Sequence, residues 1–167
     1  MKGFTLVEVL VAVFIFSFIS AAIFMVLLVG KASWYTGDVE TELSQDMRRA
    51  LTVMNSQLRQ SSSSVVSDVP ANDNYYTSIT FKVSEGVDAG GSVQWSEDIN
   101  YSLNTNHQII SLKEGASSIL ANNITGLQFR RPSGNPDVVE IYITAQKNTA
   151  QGRTLEDSIV SSVKMRN

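Results

Sequence analysis

One ionisable side chain in this sequence stands where a charge is costly. Glu8 lies near the start of an apolar run that extends from Phe4 to Val29 and holds no other charged residue. An ionised side chain at the centre of a lipid core costs about 2.5–3.5 kcal/mol on insertion scales, and more when it is held deep. The chemistry such a carboxylate calls for is neutralisation by a cation, because breaking a buried pair leaves an uncompensated charge.

The other residues able to do chemistry do not converge. His107 is the single histidine and falls in Asn104-Thr105-Asn106-His107, which reads as a hairpin turn. It is therefore a solvated loop residue rather than a base. Serines are plentiful, but none sits in a nucleophile-elbow motif beside a histidine and a carboxylate. Gly86, Gly90 and Gly91 lack the strand, helix and lysine of a phosphate loop. Asp68, Asn72, Asp73 and Asn74 group hard oxygen ligands in one segment, yet miss the spacing of a calcium loop and are ordinary loop formers. With no cysteine there is neither a disulfide framework nor a thiolate metal site. The reading is a non-enzymatic chain with no metal and no cofactor.

Charge narrows the partners. Thirteen Lys and Arg stand against 16 Asp and Glu, a net −3, and the basic residues cluster only in pairs such as Arg48-Arg49 and Arg130-Arg131. Without a basic stripe to neutralise a phosphate track, nucleic acid is not expected. Trp34 and Tyr35 follow the apolar run and read as interfacial anchors. Tyr75, Tyr76 and Trp95 read as packing residues of a sheet, with contact to a partner as the other use open to them.

The elements that must position Glu8 begin with the run itself. Phe4 to Val29 is about 26 residues, roughly 39 Å as a helix, against a hydrocarbon core of about 30 Å. Lys2 and Lys31 flank it, and so short a tail keeps the N-terminus cytoplasmic while the remainder crosses. A secretory signal peptide has an apolar stretch of about 7–15 residues before a small-residue cleavage site. Ser20-Ala21-Ala22 has that composition, but the run continues beyond it and carries an early carboxylate. A plain membrane anchor accounts for the length and leaves Glu8 unexplained.

Beyond Gly30 the pattern turns amphipathic. Val39, Leu43, Met47, Leu51, Met54 and Leu58 recur every three or four residues, predicting a helix to about Gln60. Thr36 or Asp38 is placed to cap a restart should the chain kink near Gly37. A serine run at 61–64 ends this helix, and a loop follows through Pro70 and Asn74. Strands are expected over 77–84, 92–104, 108–113, 125–131, 138–146 and 155–165, several alternating apolar and polar residues. The fold class is α+β: a long N-terminal helix packed on an antiparallel β-sheet head.

The string Lys2-Gly3-Phe4-Thr5-Leu6-Val7-Glu8 resembles the processing site of type IV prepilins and type II secretion pseudopilins. The resemblance implies cleavage between Gly3 and Phe4 by prepilin peptidase, N-methylation of Phe4, and pairing of the new amine with Glu8 of a neighbouring subunit, which sets assembly register. It implies a leader over 1–3, a transmembrane and assembly helix over 4–30, its amphipathic continuation over 31–61 and a β-rich head over 62–167. The implied partners are other pilin or pseudopilin subunits, the peptidase, an inner-membrane assembly platform and, before assembly, membrane lipid. The implied place is the bacterial inner membrane, single-pass with the head outside the cytoplasm, then a pilus or pseudopilus.

Major pilins carry a proline and a glycine inside this segment, whereas here the first proline is Pro70 and the first glycine after the leader is Gly30. That departure favours a minor subunit. A looser similarity to minor pilins of the PilW type and to the J-type pseudopilin rests on Arg49, Met54, Leu58 and Arg59, followed by Ile-Asn-Tyr-Ser-Leu and Val-Val-Glu-Ile-Tyr-Ile-Thr segments and a terminal Val-Lys-Met-Arg-Asn. A place in a tip or priming complex follows from the same resemblance. The alternative function is a pilus-tip binding module, an adhesin or DNA-uptake subunit.

Overall fold

The computed structural model describes residues 5–149 and 152–166. One α-helix, α1 (Leu6–Leu58), carries the N-terminal third of the chain over 53 residues, about 80 Å at 1.5 Å per residue. It does not break at Gly37, and neither Thr36 nor Asp38 caps a restart. A lone helical glycine costs only about 0.5–1 kcal/mol relative to alanine, and no proline lies nearby to remove a rung of the ladder. Thr41 Oγ1 donates to the Gly37 carbonyl at 2.8 Å, so the weakened turn carries one extra hydrogen bond. The helix ends two residues earlier than its periodicity predicts, as the Gln60 and Ser61 N–H groups donate to the Gln57 and Leu58 carbonyls and Ser61 becomes buried.

The two halves of α1 face different surroundings. From Leu6 to Val29 the large apolar side chains are exposed all round the helix. From Leu43 onward one stripe is buried: Leu43, Met47, Ala50, Leu51, Met54 and Leu58. That stripe meets two four-stranded antiparallel sheets. In chain order the strands are β1 (Tyr75–Tyr76), β2 (Ser78–Phe81), β3 (Ser84–Val87), β4 (Val93–Trp95), β5 (Ile99–Leu103), β6 (Ile109–Lys113), β7 (Ala116–Ala121), β8 (Ile124–Arg130), β9 (Val138–Asn148) and β10 (Thr154–Lys164). One sheet runs β1-β8-β9-β10, the other β2-β5-β6-β7, and β3-β4 forms a separate ribbon. The helix lies against β9 and β10 of the first sheet and β7 of the second.

Alternation along β9 explains how the core closes. Val139, Ile141, Ile143 and Ala145 point inward beside Leu127 and Phe129 of β8, while their neighbours face out. From the second sheet Ile79, Phe81, Ile99, Tyr101 and Ile109 join the same cluster. Polar bonds fix the helix at both ends of this contact. Glu42 pairs with Lys147 at 2.6 Å and Ser44 donates to Asp157 at 2.8 Å near one end. Asn55 donates to Ser161 at 2.9 Å, and the Tyr101 hydroxyl donates to Gln57 further along. Burial pushes the Tyr101 phenol well above its ordinary range, which keeps it a donor.

The strands differ from expectation in three places, the first being β1, which lies ahead of the earliest expected strand and pairs with β8. The single strands expected over 77–84 and 92–104 are each divided, because the chain leaves the second sheet after Phe81 and returns only at Ile99. Ser96 is the joint: it is buried, its hydroxyl accepts from Val83 N–H at 3.1 Å and donates to Glu97 O at 2.8 Å. The excursion forms the β3-β4 ribbon. Strand β7 was not predicted at all. It follows a two-residue turn, Glu114-Gly115, in which both residues have positive φ (53° and 78°), the geometry of a type I′ hairpin.

Candidate functional site

The helix N-terminus gives Glu8 a partner within its own chain. Thr5 is extended (φ −80°, ψ 151°) and occupies the N-cap, with Glu8 at the third helical position. The Glu8 carboxylate accepts from the Thr5 backbone N–H at 2.9 Å and from the Thr5 hydroxyl at 3.0 Å. In return, Glu8 N–H donates to Thr5 Oγ1 at 3.3 Å. This capping box satisfies donors that the first turn otherwise leaves open, and it sets a negative charge at the positive end of the helix dipole. In lipid, where water cannot stand in, each such bond counts for more. The Thr-x-x-Glu signal was present in the sequence. Gly3 and Phe4, between which cleavage is expected, lie outside the described residues.

Around this cap the surface is apolar. Leu6, Val9, Leu10, Val13 and Phe14 lie along one side, and Ala12 and Phe16 border Glu8 on another. Ser17 does not disturb it, since its hydroxyl donates to the Val13 carbonyl at 2.8 Å within the same helix. At the other end of the apolar run, Lys31 Nζ lies 5.8 Å from the Tyr35 ring centroid and Trp34 is 78 % exposed. An amphipathic ring and a cation at this level suit a headgroup layer. The segment is thus a bare apolar rod with one capped carboxylate at its start and aromatic residues at its end.

The remaining candidates are dispersed. His107 is exposed at a positive φ of 57°, and its Nδ1 lies 3.2 Å from the Ile124 carbonyl, with no carboxylate partner among the described residues. The side-chain oxygens of Asp68, Asn72 and Asp73 have separate protein partners. Asp68 accepts from Thr80 N–H and hydroxyl at 2.6 and 2.8 Å, and Asn72 donates to the Tyr76 hydroxyl at 2.7 Å. In the ribbon turn, the Asp88 carboxylate takes the Gly90 and Ser92 N–H groups at 2.8 and 2.9 Å. Those are the donors a phosphate would need. Trp95 lies on the ribbon, against a hollow of about 80 Å³ lined also by Ser62, Ser84, Val93 and Arg166, away from the tyrosines of β1.

Two adjacent arginines do work that the sequence did not reveal. Arg130 points outward, 3.1 Å from Asp73 and 3.4 Å from Glu140, with Tyr75 stacked edge-on to Tyr142 beside it. Hydrogen bonds from Ser133 and Arg130 hold the Asp73 carboxyl below its usual range, and its partner Arg130 is held more firmly protonated. Arg131 points inward, 6 % exposed, and donates to the carbonyls of Val69 (2.9 Å), Pro136 (2.7 and 3.0 Å) and Ser63 (3.3 Å). These contacts knit the loops at the end of the head remote from the apolar rod.

Compared with known proteins, residues 1–24 match the family described as the prokaryotic N-terminal methylation motif. No curated protein and no solved structure matches the chain. The matched residues are those that carry the capped glutamate and the start of the exposed apolar helix, and the match supports a precursor of the prepilin type.

Proposed function

We propose that the chain is a minor pilin or pseudopilin, a structural subunit processed between Gly3 and Phe4, methylated at Phe4, and assembled into a type IV pilus or type II secretion pseudopilus. The observation that carries this reading is the coincidence of the methylation-motif match with a fully exposed apolar helix bearing one carboxylate at its first turn. A rod exposed over its whole circumference is stable only in lipid or against other helices. A structural rather than enzymatic role is supported by the dispersal of the head's candidate residues: His107, Asp68, Asp73 and Asp88 each engage separate neighbours instead of converging on one cleft.

In the membrane the Thr5–Glu8 box gives the carboxylate a local partner before assembly. On assembly the amine freed at Phe4 competes for Glu8, as the pairing expectation requires. The absence of a proline in the helix supports a minor subunit, and a tip or priming position follows from that reading. The test is the mass of the mature N-terminus in cells with and without the prepilin peptidase. The expected result is loss of residues 1–3 and gain of one methyl group only when the peptidase is present. An unmodified Met1 in both strains overturns the proposal.

A further inference from the structure

At the end of the head nearest the apolar rod, the turns after β5, β7 and β9 border a cleft of about 320 Å³. His107 lines it from the first turn, Asn123 and Thr125 from the second, and Gln146, Lys147, Asn148 and Thr154 from the third. Backbone bonds join the turns into one frame. Ile124 N–H donates to the His107 carbonyl at 2.9 Å, and Gln146 N–H donates to the Asn123 carbonyl at 2.8 Å.

The lining is polar and balanced in charge. Lys147 brings a cation, but its ammonium lies 2.6 Å from the Glu42 carboxylate. The carboxamides of Asn123 and Gln146 make no hydrogen bond among the described residues. The Asn148 carboxamide oxygen accepts from the Thr154 hydroxyl at 2.8 Å, which leaves its NH2 group over. The Thr125 hydroxyl donates to the Thr144 carbonyl at 3.3 Å and keeps its oxygen as an acceptor. His107 Nδ1 lies 3.2 Å from the Ile124 carbonyl, a contact that needs the proton on Nδ1 and leaves Nε2 to accept in the neutral ring. Unused donors and acceptors thus stand side by side, and no large aliphatic side chain is among them.

We propose that this cleft is a binding site for one neutral hexose ring. A sugar hydroxyl both donates and accepts, and a carboxamide answers in both directions. A carboxylate or phosphate would find the lysine already paired, and an apolar peptide side chain would find little to bury against. The volume lies at the small end of the range for ligand sites, which suits a single ring better than a long segment of chain. Glu42 stands about 20 Å along the helix from Val29, so the cleft opens on the aqueous side of any anchored copy. The inference goes beyond the subunit reading and does not depend on assembly. The sugar can be free or part of a polymer, since the hydroxyl chemistry is the same.

His107 is the single histidine, so its imidazole resonances report from the cleft without overlap. The full-length chain, without a histidine tag, is held in an amine-oxide detergent that carries neither sugar nor phosphate. It is titrated at constant pH with glucose, galactose, mannose and N-acetylglucosamine. At least one sugar should move the His107 signals saturably, with half-saturation on the order of 1–10 mM. Asn123→Gly keeps the positive φ of 59° while removing the carboxamide. Combined with Gln146→Ala it should raise half-saturation at least tenfold, whereas Gln128→Ala elsewhere on β8 should leave it unchanged. Sodium phosphate, sodium acetate and a short capped neutral peptide are titrated in parallel. Silence of all four sugars, a sugar response that survives the paired substitution, or a stronger saturable response to phosphate, acetate or peptide overturns the proposal. Co-sedimentation with insoluble cellulose or chitin separates the sources. Retention beside a monosaccharide response assigns the cleft to a sugar within a chain, and no retention assigns it to a free or terminal sugar. Processing at Phe4, measured on the same protein, reports on the subunit reading separately.

Discussion

Arg131 shows how much of the head depends on one side chain. Its guanidinium reaches carbonyls from three separate stretches, at Ser63, Val69 and Pro136, and so closes the end of the β region where the helix stops. Arg131→Met keeps the bulk but strands those acceptors in a buried place. The expected loss is about 2–4 kcal/mol, because unsatisfied buried groups cost more than a hydrogen bond returns. Thermal unfolding of the head should fall by about 10 °C or more. Arg131→Lys should recover only part of this, since one ammonium cannot span the fork that serves Pro136 twice and Val69 once. Little of this was legible beforehand. Alternation along β8 makes one of two neighbouring arginines face inward, but the sequence does not say which carbonyls lie there. The capping role of Thr5 is the opposite case: its spacing from Glu8 was readable, and was obscured because Thr5 counts as one more position in an apolar run.

Secondary structure was legible where one period dominates. The buried stripe of α1 matches the three-and-four spacing except at two positions: Val39, at its start, is half-buried, and Ala50, too small to signal a core position, is fully buried. Strands with strong alternation, such as β9 and β10, agree within a residue or two. Strand β7 escaped because Ala-Ser-Ser-Ile-Leu-Ala holds few good strand formers and is exposed along most of its length. Its place is fixed by β6 and by the Glu114-Gly115 turn, which lacks the usual Asn-Gly or Asp-Gly signal. The two faces of α1 should therefore respond differently to truncation. Met54, with no exposed surface, should lose about 2–5 kcal/mol as Met54→Ala, through lost transfer energy and a residual cavity. Arg49→Ala on the opposite face should stay within about 0.5 kcal/mol. Urea unfolding followed by the near-ultraviolet signal of Trp95 measures both.

At the level of the whole molecule, α1 belongs to two structures at once. Its first half contributes nothing to the core, whose earliest member in the chain is Leu43. Its second half supplies the stripe on which both sheets close, together with the bonds from Glu42, Ser44 and Asn55 to β9 and β10. The rod and the head are thus joined without a linker, and a force on the apolar half is transmitted to the sheets through helix backbone. Division of the chain by function, membrane against head, does not coincide with division by folding. A chain beginning at Lys31 should fold as the full protein does, because it keeps every core residue and loses only exposed apolar surface. It should be soluble, with a melting temperature close to that of the full chain in detergent. A chain beginning at Ser61 retains all ten strands but loses Leu43, Met47, Ala50, Leu51, Met54 and Leu58. Burial of each larger side chain in that set contributes about 1.5–3 kcal/mol, and their sum exceeds the margin by which a domain of this size stays folded. Circular dichroism melts of the two fragments decide the matter: cooperative unfolding of the chain beginning at Ser61 would show that the sheets close on themselves and that the helix is only their tether.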